Sequence, residues 1–162
     1  MNKYSIPNEI KASVIDSIQS IGYKKRLNNI SPQTLEGKVI SDADMCDAMG
    51  ANGIIRNIVY VVSEKGSGRI FDPNIFPIRN ISHEQYDKHG TTHDTDNAIN
   101  HFFEKTLRLK NLMITDAGKQ EAEKRYQVMV LFLREYFREG DLNDWSEFLE
   151  HFLEENKTKS PF

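Results

Sequence analysis

Leu35-Glu-Gly-Lys-Val39-Ile40-Ser-Asp42-Ala43-Asp44-Met-Cys46-Asp47-Ala-Met49-Gly50-Ala-Asn-Gly53-Ile-Ile-Arg56 places three aspartates within six positions of an apolar run with helical spacing. A carboxylate in apolar surroundings is costly unless a metal ion, a base or a helix end pairs with it. Ser31-Pro32 precedes the run, so a helix is predicted from there to about Gly50, with a continuation from Gly53 to about Ser63. At 100° per residue, Leu35, Val39, Ala43 and Cys46 fall within about 80° of one another, with Met49 close by and Ile40 near 140°. Asp42 lands between Met49 and Leu35, and Asp47 between Ala43 and Ile40. Asp44 lies about 60° from Asp47 and about 160° from Asp42, so Asp44 and Asp47 can face one site while Asp42 looks elsewhere. One ion cannot take all three. The alternative is that Asp42 and Asp47 bind backbone amides or lysines in the bundle and only Asp44 meets water.

Outward from this stretch the apolar period stays helical. Ile10, Val14, Ile15, Ile18 and Ile21 recur after Pro7 and stop at Gly22, and Lys24 to Asn29 reads as a loop. Residues 64–95 carry Gly66, Gly68, Pro73 and Pro77 and predict a long irregular loop, either a lid or a wrap. Helix resumes near Asp96, where Ile99, Phe102, Phe103, Thr106 and Leu107 follow the amphipathic spacing and Glu104 stands four residues before Arg108. Thr115 or Asp116 caps a long helix with Ala122, Tyr126, Met129, Val130, Leu133, Tyr136 and Phe137 on its core side, ending at Gly140. A last short helix covers Trp145 to Leu153. The expectation is one all-α bundle over residues 1–155 and a flexible tail over 156–162.

Charge and composition narrow the function. With 162 residues the chain is long enough for one real core, and its net charge of −3 is spread without a basic stripe, which argues against nucleic acid. Cys46 is the only cysteine, so no internal disulfide and no cysteine-built zinc site can form. No apolar run approaches a membrane span and the first ten residues have no leader-like apolar core, so no membrane association and a cytoplasmic location are expected.

The stretch from Leu35 to Arg56 resembles the C-terminal signature of the bacterial HD-domain metal-dependent phosphohydrolases. Further segments agree in order: Ser20 to Lys25, Phe71-Asp72-Pro73, Ile99 to Lys105 with Leu107 and Leu109, and Lys110 to Met113 leading into Thr115. Together they cover about residues 10 to 140. The resemblance implies an HD-like all-α bundle in which one divalent ion, such as Mn or Mg, is held by a His, a His-Asp doublet and a distant Asp. Carried onto this chain the distant Asp is Asp44, with Asp42 and Asp47 as its supporting carboxylates. Lys105 and Arg56 would offset phosphate charge, and His101 would help line the phosphate pocket. On an amphipathic helix His101 and Lys105 read equally as an exposed flank, and Arg56 equally as a counter-ion to Asp42 or Asp47.

The departure is in the ligands. The family's first His and His-Asp doublet precede the Asp, whereas the first histidine here is His83. The expectation is therefore a bundle truncated at its N-terminus. His93-Asp94 follows Asp44 and sits in a Gly-Thr-Thr loop, where His89, His93, Asp94 and Asp96 suggest a zinc or manganese site by type but a solvated loop by context, with Thr95 or Asp96 capping the next helix. A lone carboxylate seldom holds a divalent ion against water. Two functions follow. One is a metal-dependent phosphohydrolase acting on a nucleotide or small phosphomonoester, completed by a separate N-terminal HD piece. The other is an inactive remnant whose uncovered apolar face makes it an interaction or homo-oligomerisation module.

Overall fold

Side-chain caps decide where the main helices begin. Thr34 Oγ1 accepts from the Gly37 N–H at 3.1 Å, Asn97 Oδ1 from the Asn100 N–H at 2.8 Å, and Thr115 Oγ1 from the Gly118 N–H at 3.0 Å. The computed structural model describes residues 6–63, 66–78 and 97–157. Among these the regular structure is all helical: α1 Asn8–Ser20, α2 Tyr23–Leu27, α3 Leu35–Asp47, α4 Gly50–Val62, α5 Ala98–Glu104, a 3₁₀ helix Thr106–Leu112, α6 Asp116–Glu139 and α7 Asn143–Lys157.

The core lies between α5, the 3₁₀ helix, α6 and α7. Ala122, Tyr126, Met129, Val130, Leu133 and Phe137 form the buried stripe of α6, as the sequence predicts, and Trp145 and Leu149 of α7 close on it. Six of the seven residues of α5 are buried, so this helix passes through the core rather than along it. Phe103 is ringed by Phe137, Trp145, Phe148 and Phe152 with centroids 5.1–6.4 Å away. The described part of the long loop, residues 66–78, wraps this cluster. Phe76 stacks on Trp145 at 4.5 Å, Trp145 Nε1 donates to the Pro73 carbonyl at 3.0 Å, and the Ile78 N–H donates to Glu104 Oε1 at 3.0 Å.

Several expectations need correction. Lys24 to Leu27 is helical, because the Lys25 and Arg26 N–H groups both donate to the Gly22 carbonyl. Asn97 caps α5, rather than Thr95 or Asp96. The helix after it does not run on as α: Lys105 leaves helical geometry (φ −136°, ψ −66°) and the next turn is 3₁₀. Arg108 donates its Nε to the Phe103 carbonyl at 2.8 Å while still feeling the charge of Glu104. The last helix reaches Lys157, well past Leu153.

The largest difference concerns which way the apolar stripes face. α1 forms as predicted, but Ser17 and Ser20 turn inward while Ile10, Val14, Ile15 and Ile18 are exposed. The inward serines bond their own helix, Ser17 Oγ to the Ser13 carbonyl at 2.8 Å and Ser20 Oγ to the Asp16 carbonyl at 2.6 Å. Small residues allow a close approach to α3: a Cβ at Gly37 would stand 2.9 Å from Ser17 Oγ and 2.8 Å from Pro32 Cβ. On α3, Leu35 and Val39 are exposed, whereas Met45 and Cys46 reach the core. α4 keeps only Gly50, Gly53, Asn57 and Val61 buried and turns Ile55, Val59, Tyr60 and Val62 to solvent.

Candidate functional site

The three aspartates of α3 have three different surroundings. Asp42 is buried and binds the start of α6: Oδ1 accepts from the Ile114 N–H at 2.9 Å, and Oδ2 from the Thr115 N–H and hydroxyl at 2.7 Å each. It thereby fixes the residue that caps α6 and adds negative charge at that helix's positive end. Asp47 is exposed and ion-paired to Arg56, whose Nη1 also donates to the Asp47 carbonyl at 3.2 Å. Arg56 thus closes the C-terminal turn of α3 from the second turn of α4. Asp44 is exposed on α3, with its Asp42 and Asp47 neighbours committed to other groups.

Lys105 lies within electrostatic reach of Asp44. It stands at the break between α5 and the 3₁₀ helix, and its N–H donates to the His101 carbonyl at 3.0 Å. Burial pushes its pKa down, the Asp44 carboxylate pulls it back up, Arg56 opposes its charge and Tyr60 supports it. Its Nζ also lies over the Tyr23 ring, 5.5 Å from the centroid. Asp44 from α3, Arg56 and Tyr60 from α4 and Lys105 from the end of α5 therefore act on one small region. His101 is half-buried in the last turn of α5, four residues before Lys105 and so on the same side of the chain.

Chemically this is two carboxylates, Asp44 and Asp47, with two cations, Lys105 and Arg56, a place that can hold a phosphate or another anion once it displaces Asp47 from Arg56. Among the described residues no three His, Cys, Asp or Glu side chains come together to hold a metal. Divalent ions need several ligands, so the described residues do not by themselves fit one. His83, His89, His93, Asp94 and Asp96 lie outside the described residues. Cys46 is free and buried, and burial raises its pKa, so it offers no thiolate nucleophile. Among the described residues no helix is long and apolar enough to cross a membrane.

The sequence singled out Asp44, Arg56, His101 and Lys105 but passed over Tyr60 and Tyr23. The spacing of Arg56 and Tyr60, four apart on a helix, carried the signal for the first of these. Tyr23 had none, since nothing local relates it to Lys105.

No protein-family model matches the chain. An uncharacterised protein of Bacillus subtilis, YpgQ, is 36% identical over 104 residues, covering 64% of this chain and 40% of that protein. A structure from Lactobacillus plantarum superposes with a TM-score of 0.70 at 34% identity, covering 86% of this chain and 65% of the other. An HD-superfamily hydrolase from Bacillus thuringiensis gives a TM-score of 0.52 at 38% identity, with coverage of 67% and 47%. YpgQ in complex with ADP gives 0.56 at 28%, with coverage of 83% and 55%. The chain spans between two fifths and two thirds of the length of these relatives.

Proposed function

We propose, since the chain belongs to an HD-domain-like family, that it is the aspartate-bearing part of a phosphohydrolase that binds a nucleotide or small phosphomonoester at Asp44, Arg56 and Lys105. The support is the pull of the exposed Asp44 carboxylate on the partly desolvated Lys105 ammonium, where charge interactions are stronger than in open water. The bound ADP of YpgQ makes a nucleoside diphosphate the natural probe. In this reading Lys105 and Arg56 neutralise phosphate charge and orient the ester, and Arg56 exchanges its Asp47 partner for phosphate. The family's divalent ion would use Asp44 as one ligand. The His and His-Asp ligands have no counterpart ahead of Asp44 in this sequence, whose first histidine is His83, so we assign them to a separate segment. The exposed side chains of α1, α3 and α4 offer that segment an apolar seat.

Those same side chains favour a second role, an interaction module without turnover that self-associates or docks a partner. The two roles separate in one preparation. Manganese bound stoichiometrically with hydrolysis of a generic phosphomonoester, both lost in Asp44→Ala, would rule out the inactive module. A stable dimer without metal or turnover would rule out the enzyme for this chain alone.

A further inference from the structure

We infer that Tyr60 is a further substrate-contacting residue, its hydroxyl donating a hydrogen bond to a phosphate oxygen of a nucleoside diphosphate held by Lys105 and Arg56. This rests on the phosphate-binding role proposed above and names a group that role does not include. Tyr60 stands one turn after Arg56 on α4, so the two side chains share a helical face. The outward positions beside them, Ile55, Val59 and Val62, are apolar, and Tyr60 alone of the four large outward side chains carries a polar tip. Tyr60 is 57% exposed, so a ligand can reach the residue. α4 is tied to α5, the helix that ends at Lys105, by Asn57 Nδ2, which donates to the Ala98 carbonyl at 2.8 Å, and Tyr60 acts on the Lys105 charge in the same direction as Asp44 does from α3. An anion drawn to Lys105 and Arg56 therefore meets the phenol as a neutral donor, which binds phosphate without adding to the charge already present.

The test is calorimetric titration of the full chain with ADP and with inorganic pyrophosphate, for the parent, Tyr60→Phe, Tyr60→Ala and Lys105→Ala. Tyr60 is exposed, so Tyr60→Phe removes one oxygen and leaves the fold intact; its unfolding curve should match the parent. The expected result is about tenfold weaker binding of both probes by Tyr60→Phe, the worth of one hydrogen bond to a charged group. Lys105→Ala should weaken both at least as much. Parent-like binding by Tyr60→Phe with loss in Lys105→Ala overturns the inference and leaves the site. Loss only in Tyr60→Ala, or loss for ADP but not pyrophosphate, would make the ring a base-stacking surface and overturns the hydroxyl contact. Lys105→Ala binding like the parent, or a parent that binds neither probe, overturns the phosphate site and the Tyr60 contact with it.

Discussion

Asp42→Ala should be among the most damaging single changes in this protein. The side chain is 3% exposed and accepts three hydrogen bonds from Ile114 and Thr115. Removing it leaves two backbone N–H groups without acceptors and frees the residue that caps α6. Each hydrogen bond to a buried charge is worth about 1.5–3 kcal/mol, and each orphaned donor costs a similar amount. The Thr115 hydroxyl keeps its acceptor role toward Gly118, and water can reach part of the gap, so the sum should not be taken in full. A loss of about 3–5 kcal/mol follows, a large share of a typical domain's stability. For a chain of this length that is a fall in Tm of roughly 10–15 °C. Urea unfolding followed by Trp145 fluorescence, the chain's only tryptophan, measures it directly, and the midpoint should move while the slope stays constant. Asp42→Asn keeps the shape and one good acceptor, so its loss should be about 1–2 kcal/mol. An Asp42→Ala variant that loses less than about 1 kcal/mol would refute the account of how α3 holds α6.

Four further outcomes can be checked. Gly118→Ala should cost about 1–3 kcal/mol, because a Cβ there would stand 2.7 Å from Asp42 Cγ and 2.8 Å from its Cβ; in an Asp42→Ala background the cost should shrink without vanishing, since the Cγ contact is gone and the Cβ contact stays, which a double-mutant cycle in urea would detect. Burial raises Tyr126 to about 12, so its neutral form contributes stability that is complete below the ordinary tyrosine pKa and disappears as pH rises toward the folded value. Burial raises Tyr136 as well, so phenolate absorbance should show a late component that loses its latest part in Tyr126→Phe. Glu150 is held below the usual carboxylate range by its bond to Arg134, at 2.7 and 2.9 Å; its contribution is present at neutral pH and lost as pH falls through that lowered value. Both partners are half exposed, so Glu150→Gln should cost under about 1 kcal/mol at pH 7, with the gap from the parent closing in acid. Arg56→Ala should leave stability within about 1 kcal/mol of the parent, since the Asp47 pair is exposed, while weakening ADP binding if phosphate displaces Asp47.

Local chemistry made much of the bundle legible. Thr115 followed by Gly118 marks the start of α6, Gly140 its end, and the stripe from Ala122 to Phe137 is buried as its spacing requires. The period of α1 was equally clear, yet it could not say which face turns inward. That depends on the close contact of Ser17 with Gly37, a pairing across elements that no single helix encodes. The switch to 3₁₀ at Lys105 was hidden because apolar spacing of three and four suits both helix types. Helical angles did separate Asp42 from Asp44 and Asp47. The partners of Asp42 lay out of reach of that argument, because the amides that donate to it stand 72 and 73 residues away.

The inverted polarity of α1 also bears on motion. None of its residues belongs to the apolar core cluster, and the isoleucines that could have anchored it face water. Its undocking would sacrifice a serine–glycine seam and little buried hydrocarbon, so the helix should open as a unit well below the energy of global unfolding. In native-state hydrogen exchange its amides should trade with solvent far sooner than those of α6, and any molecule that covers the isoleucines should slow them selectively.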